Sequence, residues 1–294
     1  MDPITSSKNP RVKSAVRLRD RRARRREGRF LVEGSREIAR ALDAGFRAET
    51  LFAQEKLVES SGLPFLVERA AACGARVIPV APSVFAKLAI REESDGLVAV
   101  FPIPDPSPER LRPGAAPLLL AASGIEKPGN LGALLRSADA FAVDALLVEG
   151  GSDLWGPNVV RASLGCLFTV AVAAFEDGAL FPWLKERGVR MVAVTPDGDT
   201  PLPDADLTGA VAVVVGNEQS GISREVREAA DVRVAIPMGG AADSLNVSVC
   251  AGIVLYEATR QRGGGAKNEP GGPAVPHPEG SPPLYRIPTS TENP

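Results

Sequence analysis

The segment "VRVAIPMGGAADSLNVSVCAGIVLYEATRQR", Val232 to Arg262, decides the fold of this chain. A β-rich run enters a helix through two glycines and a polar cluster at residues 244–248. One serine or asparagine is enough to cap a helix. Several polar groups in a row therefore indicate that the junction also binds a ligand. Ser244 in particular is open to two interpretations, a ligand contact or a helix cap.

Strands and helices alternate on both sides of a proline-rich segment. Between residues 118 and 262, apolar runs such as "LLLAAS", "ALLVEG" and "AVAVVVGNE" separate helical stretches, which is typical of a buried, mostly parallel sheet. Residues 29–101 show a shorter alternation and predict a small α/β domain. "PIPDPSPERLRPGAAP", residues 102–117, is too rich in proline for either element and predicts a linker. Residues 263–294 cannot bury a core and predict a disordered tail.

The composition limits the chemistry that the chain can perform. Its 294 residues, 44% hydrophobic and 24% charged, are ordinary globular material for two domains. We expect a cytoplasmic protein without a membrane segment, because no apolar run approaches about 20 residues and the start lacks a signal-peptide core. Cys73, Cys166 and Cys250 are scattered without metal-ligand spacing, so we expect no metal. The single histidine, His277, lies in the tail, which argues against a histidine base.

Residues 1–28 form a basic arm, although the whole chain carries a net charge of -2. The run "KNPRVKSAVRLRDRRARRREGR", Lys8 to Arg29, contains only two acidic residues. Arginine at this density favours phosphate groups, and therefore a nucleic acid, because its planar fork matches them and counterions are released. The alternative interpretation is a solvated basic helix.

Two further motifs follow predicted strands, where parallel α/β sheets bind their ligands. "SGIEKPGNLGALLRSADAF" places Asn130 in the first turn of a helix and Arg136 inside it. "VVVGNEQSGIS" ends an apolar strand in Gly216, Asn217 and Glu218. Each motif also has a purely structural interpretation: an N-cap and a surface arginine in the first, and a carboxylate near a helix N-terminus in the second.

In this order, the three motifs resemble those of the TrmH/SpoU branch of the SPOUT methyltransferases. The resemblance covers residues 118–262 and includes "SDLWGPNVVRASLGCLF", with Arg161 and Ser163. It implies methyl transfer from S-adenosylmethionine to a ribose 2′-hydroxyl of RNA, a homodimer, and a deep carboxyl-terminal trefoil knot, an exception to the rule against threading. "EGRFLVEGSREIARAL" is similar to the L30e-like substrate-binding domain of ribosomal RNA ribose methyltransferases. That likeness favours 23S ribosomal RNA as the substrate.

The resemblance also implies the site residues. The catalytic set is Asn130, Arg136, Glu218 and Asn246. The cofactor-binding set is Gly216, Asn217, Ile236, Ser244, Leu245 and Ser248, with Gly239 and Gly240 allowing close backbone approach. The RNA-binding set takes Arg21, Arg22, Arg24, Arg25 and Arg26 from the charge density of the basic arm, and the resemblance adds Arg161. A guanidinium is a poor proton acceptor, so we expect Arg136 to clamp a phosphate and to stabilise the developing alkoxide.

Other classes of protein fit less well. The turn "SGIEKPGN" lacks the glycine fingerprint of dinucleotide enzymes, and no Gly-Lys pair exists for a P-loop. Two alternatives stay open. The first is a catalytically inactive RNA-binding or ribosome-assembly factor on the same fold, and the second is a transfer RNA ribose methyltransferase.

Overall fold

Two sheets form because the apolar strands fall into two groups, one on each side of the proline-rich segment. The computed structural model describes residues 2–263. The predicted disordered tail therefore lies outside the described residues, apart from Gly263.

The amino-terminal sheet has the order β1-β4-β2-β3. Its strands are β1 (Arg29–Glu33), β2 (Thr50–Ala53), β3 (Arg76–Pro79) and β4 (Leu97–Pro102). Only β2 and β3 pair in parallel, and β4 runs antiparallel to both of its neighbours. The helices are α1 (Pro10–Arg17), α2 (Arg21–Glu27), α3 (Ser35–Asp43), α4 (Glu55–Ser60), α5 (Pro64–Ala72) and α6 (Pro82–Leu88). This mixed sheet agrees with the predicted small α/β domain.

The arginine-rich segment forms helices α1 and α2, which pack into the amino-terminal core. Val12, Ala15 and Leu18 are at most 2% exposed and share a cluster with Phe85 and Leu88 of α6. The segment is thus helical and belongs to the amino-terminal unit, and this structure is compatible with both interpretations of its charge. Its apolar face is core and its arginine-rich face is solvated.

The carboxyl-terminal sheet is entirely parallel, as the buried apolar runs predicted, in the order β7-β6-β5-β10-β8-β11-β9. Its strands are β5 (Leu118–Ser123), β6 (Ala145–Glu149), β7 (Val172–Phe175), β8 (Arg190–Val194), β9 (Thr200–Pro201), β10 (Val211–Val215) and β11 (Val232–Ala235). The helices are α7 (Pro128–Ala140), α8 (Pro157–Ala162), α9 (Leu180–Glu186), α10 (Arg224–Ala229) and α11 (Val247–Gln261). The central strand, β10, is buried along its whole length.

Helix α8 covers only the first residues of the apolar stretch "VVRASLGCLF", residues 159–168. Helix α8 ends at Ala162, and the chain then turns through Leu164 and Gly165, both at positive φ, into a 3-10 turn at Cys166–Phe168. A left-handed backbone cannot continue a right-handed helix, which explains the early end.

The two sheets are joined by aromatic packing. The ring centroid of Phe30 lies 5.0 Å from that of Trp155, and Phe46 and Phe168 are 5.1 Å apart. In the carboxyl-terminal unit, β11 lies between β8 and β9, and α11 packs on α7 and β10. The knot stays a prediction. Within residues 2–263, no helix combines the length and apolar character needed to cross a bilayer.

Candidate functional site

A cavity of about 410 Å³ opens at the carboxyl ends of β8, β10 and β11, where the strand-end rule placed it. Three segments supply most of its lining, residues 194–196, 215–222 and 236–250. Lys127 and Asn130 contribute from the start of α7. The cavity is therefore built from all three motifs that the sequence singled out.

Gly216 allows the wall of the cavity to fold back on itself. A Cβ atom at this position would lie 2.3 Å from the carbonyl oxygen of Gly221, far inside van der Waals contact. Asn217 stabilises the same turn, since its Oδ1 accepts hydrogen bonds from the amides of Gln219 at 2.8 Å and Ser220 at 3.1 Å. Its Nδ2 donates to the carbonyl of Gly124 at 3.0 Å, which ties the turn to the β5–α7 loop.

A chain of hydrogen bonds connects the three motifs at the cavity rim. Asn246 Nδ2 donates to Asn130 Oδ1 at 3.1 Å, and Asn130 Nδ2 donates to Glu218 Oε1 at 2.6 Å. Asn246 Oδ1 in turn accepts from the amide and hydroxyl of Ser248, at 2.9 and 2.6 Å. Each amide is thereby held in one orientation. Three of the four residues predicted to be catalytic are in direct contact.

Glu218 carries the negative charge at this rim. Partial burial alone would raise its pKa, but hydrogen bonds from Asn130 and from the backbone amides of Glu126 and Lys127 outweigh it. The net pKa lies below its usual range, because these donors favour the charged form. The carboxylate is therefore ionised at neutral pH.

The polar cluster of residues 244–248 contributes both to the cap of helix α11 and to the lining of the cavity. Asn246 is the N-cap of α11, so the cap interpretation of Ser244 is wrong. Ser244, Leu245 and Ile236 line the cavity, whereas Ser248 turns its hydroxyl toward the cap. No described protein atom lies within 4 Å of a Cβ built at Gly239 or Gly240, so packing within the chain does not require glycine there.

Arg136 lies apart from the other residues predicted to be catalytic. It is exposed on α7 and lines a second groove of about 520 Å³ between α3 and α7. Arg36 and Arg40 of the amino-terminal unit line the same groove. Arg40 is anchored there, because its Nη1 donates to the carbonyl of Leu164 at 2.8 Å. The sequence does not predict Arg36 or Arg40, because only the fold brings them beside Arg136.

One of the arginines predicted to bind RNA is an internal residue. Arg24 is 4% exposed and forms an ion pair with Asp153, so it has no solvated guanidinium to offer a phosphate. Its assignment to RNA binding is corrected on this ground. The other members of the set are exposed, namely Arg21, Arg22, Arg25, Arg26 and Arg161.

Several cavity residues are absent from the sequence prediction. Thr195 and Pro196 directly follow β8, and Met238 follows β11. The stretch "MVAVTP" is recognisable as a strand, so the strand-end rule applied to it would have found Thr195. Lys127 is the one cation in the lining drawn from residues 2–263. Within the same range, no group of three potential metal ligands is present.

Two family models match the chain over nearly all of its described length. Residues 117–256 match the SpoU rRNA Methylase family, and residues 9–99 match the MRM3-like substrate binding domain. A 23S rRNA (uridine(2479)-2′-O)-methyltransferase of Streptomyces viridochromogenes is 34% identical over 253 residues, covering 83% of this chain and 87% of that protein. The chain belongs to the SpoU rRNA methylase family.

Two solved structures of RNA methyltransferases match the fold over most of this chain. A crystal structure of an RNA 2′-O ribose methyltransferase is 42% identical, covers 89% of this chain and 99% of its own, and gives a TM-score of 0.76. An AdoMet-bound rRNA methyltransferase from Sinorhizobium meliloti is 29% identical, with coverages of 88% and 97% and a TM-score of 0.79. The MRM3-like match begins at residue 9, so it includes the two arginine-rich helices.

Proposed function

We propose that this SpoU protein transfers a methyl group from S-adenosylmethionine to a ribose 2′-hydroxyl of 23S ribosomal RNA. The observation that carries the proposal is the contact chain Asn246–Asn130–Glu218 at the rim of a strand-end cavity. The activity of the Streptomyces relative and the AdoMet bound by the Sinorhizobium protein support it. We further propose that the enzyme works in the cytoplasm, without a metal.

The cavity fits S-adenosylmethionine in its size and in the groups that line it. About 410 Å³ lies within the roughly 300–1,000 Å³ typical of small-molecule sites. Gly216 leaves backbone exposed in the wall, and Ile236 and Leu245 add apolar surface for an adenine ring. Glu218 provides the one carboxylate in the lining drawn from residues 2–263, opposite in sign to a sulfonium. When bound, the cofactor supplies an already activated methyl group.

The protein's own residues contribute by positioning. Asn130 uses both ends of its amide, one toward Glu218 and one toward Asn246, so it cannot rotate without losing a hydrogen bond. A fixed amide at the rim orients an incoming hydroxyl for in-line attack, and such alignment supplies much of the rate enhancement in group transfer. Glu218 is a weak base because its pKa is low, and we assign it to orienting Asn130.

RNA is proposed to approach across two basic surfaces. The first is the groove formed by Arg36, Arg40 and Arg136, where one phosphate would meet guanidinium groups from both domains. The second is the solvated face of α2, with the exposed residues Arg22 and Arg25. We retain Arg136 as a phosphate clamp. Its predicted catalytic role would require RNA to span the distance from this groove to the cavity.

The outer face of α11 is proposed to form a homodimer. Val249, Ile253 and Tyr256 are exposed and lie three or four residues apart, so they share one helical face. Exposed apolar side chains in a contiguous stripe mark interaction surfaces. Tyr256 also packs edge-on against Phe141 of the carboxyl-terminal unit, which holds the ring in place.

The deciding experiment is methyl transfer with the purified chain. Tritiated S-adenosylmethionine is supplied with separated 23S ribosomal RNA and transfer RNA, and ribose methylation is scored as resistance to alkaline hydrolysis. We expect label in 23S RNA, abolished by Asn130→Ala while cofactor affinity by calorimetry is retained. Label in transfer RNA alone would support the transfer RNA alternative. Absence of any cofactor binding would support an inactive RNA-binding factor.

A further inference from the structure

Arg24 is tied to Asp153 of the carboxyl-terminal unit, 129 residues away in the chain. Its Nε and Nη2 donate to Asp153 Oδ2 at 2.9 and 2.5 Å, and its Nη1 donates to the carbonyls of Leu18 and Arg19, both at 2.7 Å. The arginine side chain is 5% exposed and that of Asp153 is 19% exposed. The cost of burying such a pair is offset only when its remaining donors are also hydrogen-bonded. The carbonyls of Leu18 and Arg19 meet this requirement for Nη1 of Arg24.

The loop that carries Asp153 packs against the loop of residues 124–127. Residues 150–156 connect β6 to α8, and Ser152 donates from its amide to the carbonyl of Ile125 at 2.6 Å and from its Oγ to that of Glu126 at 2.5 Å. A Cβ at Gly151 would lie 2.2 Å from the Ile125 oxygen, so the two backbones are in direct contact.

The second loop, residues 124–127, holds the rim of the proposed active site. The amides of Glu126 and Lys127 donate to the carboxylate of Glu218 at 3.5 and 3.4 Å, and the carbonyl of Gly124 accepts from Asn217. An unbroken series of contacts therefore runs from Arg24 through Asp153 and Ser152 to Glu218.

We propose that Arg24, Asp153 and Ser152 are positioning residues for methyl transfer. They hold the 124–127 loop in place and thereby keep Glu218 hydrogen-bonded to Asn130. The inference rests on the proposed function, because it assigns a task within that reaction. It also gives the arginine-rich helix α2 two separate roles. Its exposed arginines face solvent for RNA, and Arg24 links the same helix to the reaction centre.

The sharpest variant is Ser152→Ala, which removes the hydroxyl that bonds to Glu126 and leaves the ion pair intact. We expect kcat to fall about 10- to 100-fold, the range expected when a reacting group is displaced by about 1 Å. The KM for RNA and the Kd for S-adenosylmethionine should change less than about threefold, because their proposed contacts lie elsewhere. Asp153→Asn should act in the same direction, with Asp43→Asn as its matched control, since the Asp43–Arg69 pair is exposed.

A readout independent of activity separates this inference from the proposed function. Hydrogen exchange of the Glu126 and Lys127 amides should accelerate in Ser152→Ala and stay unchanged in Asp43→Asn. If the wild-type chain methylates no RNA, the proposed function fails, and the exchange measurement still shows whether Ser152 holds the 124–127 loop. Unchanged kcat together with unchanged amide exchange would overturn it. So would a cofactor Kd that rises as steeply as kcat falls, because that result indicates collapse of the cavity.

Discussion

Replacing Gly216 by alanine tests whether the turn at residues 216–221 shapes the cofactor cavity. The glycine lies at the end of β10 and is buried, with a φ that any residue can adopt, so backbone strain at position 216 is not the issue. The added methyl group would instead meet backbone atoms, with Gly221 O at 2.3 Å, Gly221 C at 2.4 Å and Ile222 N at 2.5 Å. These backbone atoms cannot move away without moving the whole turn, whereas a flexible side chain could change its rotamer.

The size of the effect follows from these distances. Ordinary contact begins near 3.4 Å, so the 217–221 turn must retreat by about 1.1 Å to admit the methyl group. Forced overpacking of this kind costs about 1–3 kcal/mol. The turn carries Asn217 and Glu218, whose hydrogen bonds to the 124–127 loop and to Asn130 would stretch with it. If cofactor binding bears the whole cost, its affinity falls about 5- to 160-fold.

Calorimetric titration with S-adenosylmethionine and a thermal melt together measure this outcome. Gly114→Ala is the matched control, because Gly114 has no atom within 4 Å of its Cβ position and lies in the proline-rich segment. We expect the control to match the wild type in both measurements. A Gly216→Ala protein with wild-type affinity and an unchanged melting temperature would refute the reasoning, because the close approach of Gly216 to Gly221 would then constrain neither binding nor stability.

Three further predictions concern single groups. Iodoacetamide should label Cys73 rapidly near pH 8, but Cys166 only in denaturant. Cys73 is exposed, whereas burial raises the pKa of Cys166 to about 11. Equal labelling of the two cysteines in the folded protein would contradict this. The pKa of Glu218 is lowered, so its hydrogen bonds weaken only when the pH falls well below neutrality. Cofactor affinity should therefore be flat between about pH 5.5 and 7, below the range in which the cofactor's own α-amino group titrates. A midpoint inside that window would count against it. Ile253→Asp should convert a dimer to a monomer in light scattering, while Phe65→Asp, on another exposed surface, should not.

The sequence predicted the carboxyl-terminal sheet and most of the cavity because both depend on local patterns. Each strand of the parallel sheet is a short apolar run, and the strand-end rule then places the following residues at one edge. Asn130, Glu218 and Asn246 meet there although 88 residues separate the first two and 116 separate the first and last. The strand-end rule brought the three motifs to one edge, because every crossover connection returns its loop there, and the family resemblance supplied the roles of the individual residues.

The contacts between the two sheets could not be read from the sequence. Arg36, Arg40 and Arg136 share a groove only because α3 and α7 both pack against the 3-10 turn at Cys166–Phe168, and nothing in their spacing indicates that arrangement. The same limit explains Arg24, which looks like its neighbours in composition. Its burial is set by the position of Asp153, on a loop of the other unit.

The two roles of the arginine-rich segment require a different experiment from a truncation. Deleting residues up to Arg26 would remove the buried side chains of Val12 and Leu18 together with the Arg24–Asp153 pair, so weaker RNA binding would be inseparable from impaired folding. Arg22→Gln with Arg25→Gln removes charge from the solvated face alone. We expect an unchanged melting temperature and a salt dependence of RNA affinity that is flatter by about 0.7–0.9 in log–log slope for each phosphate that the variant no longer binds. Parallel salt slopes for the variant and the wild type would show that this face does not bind RNA.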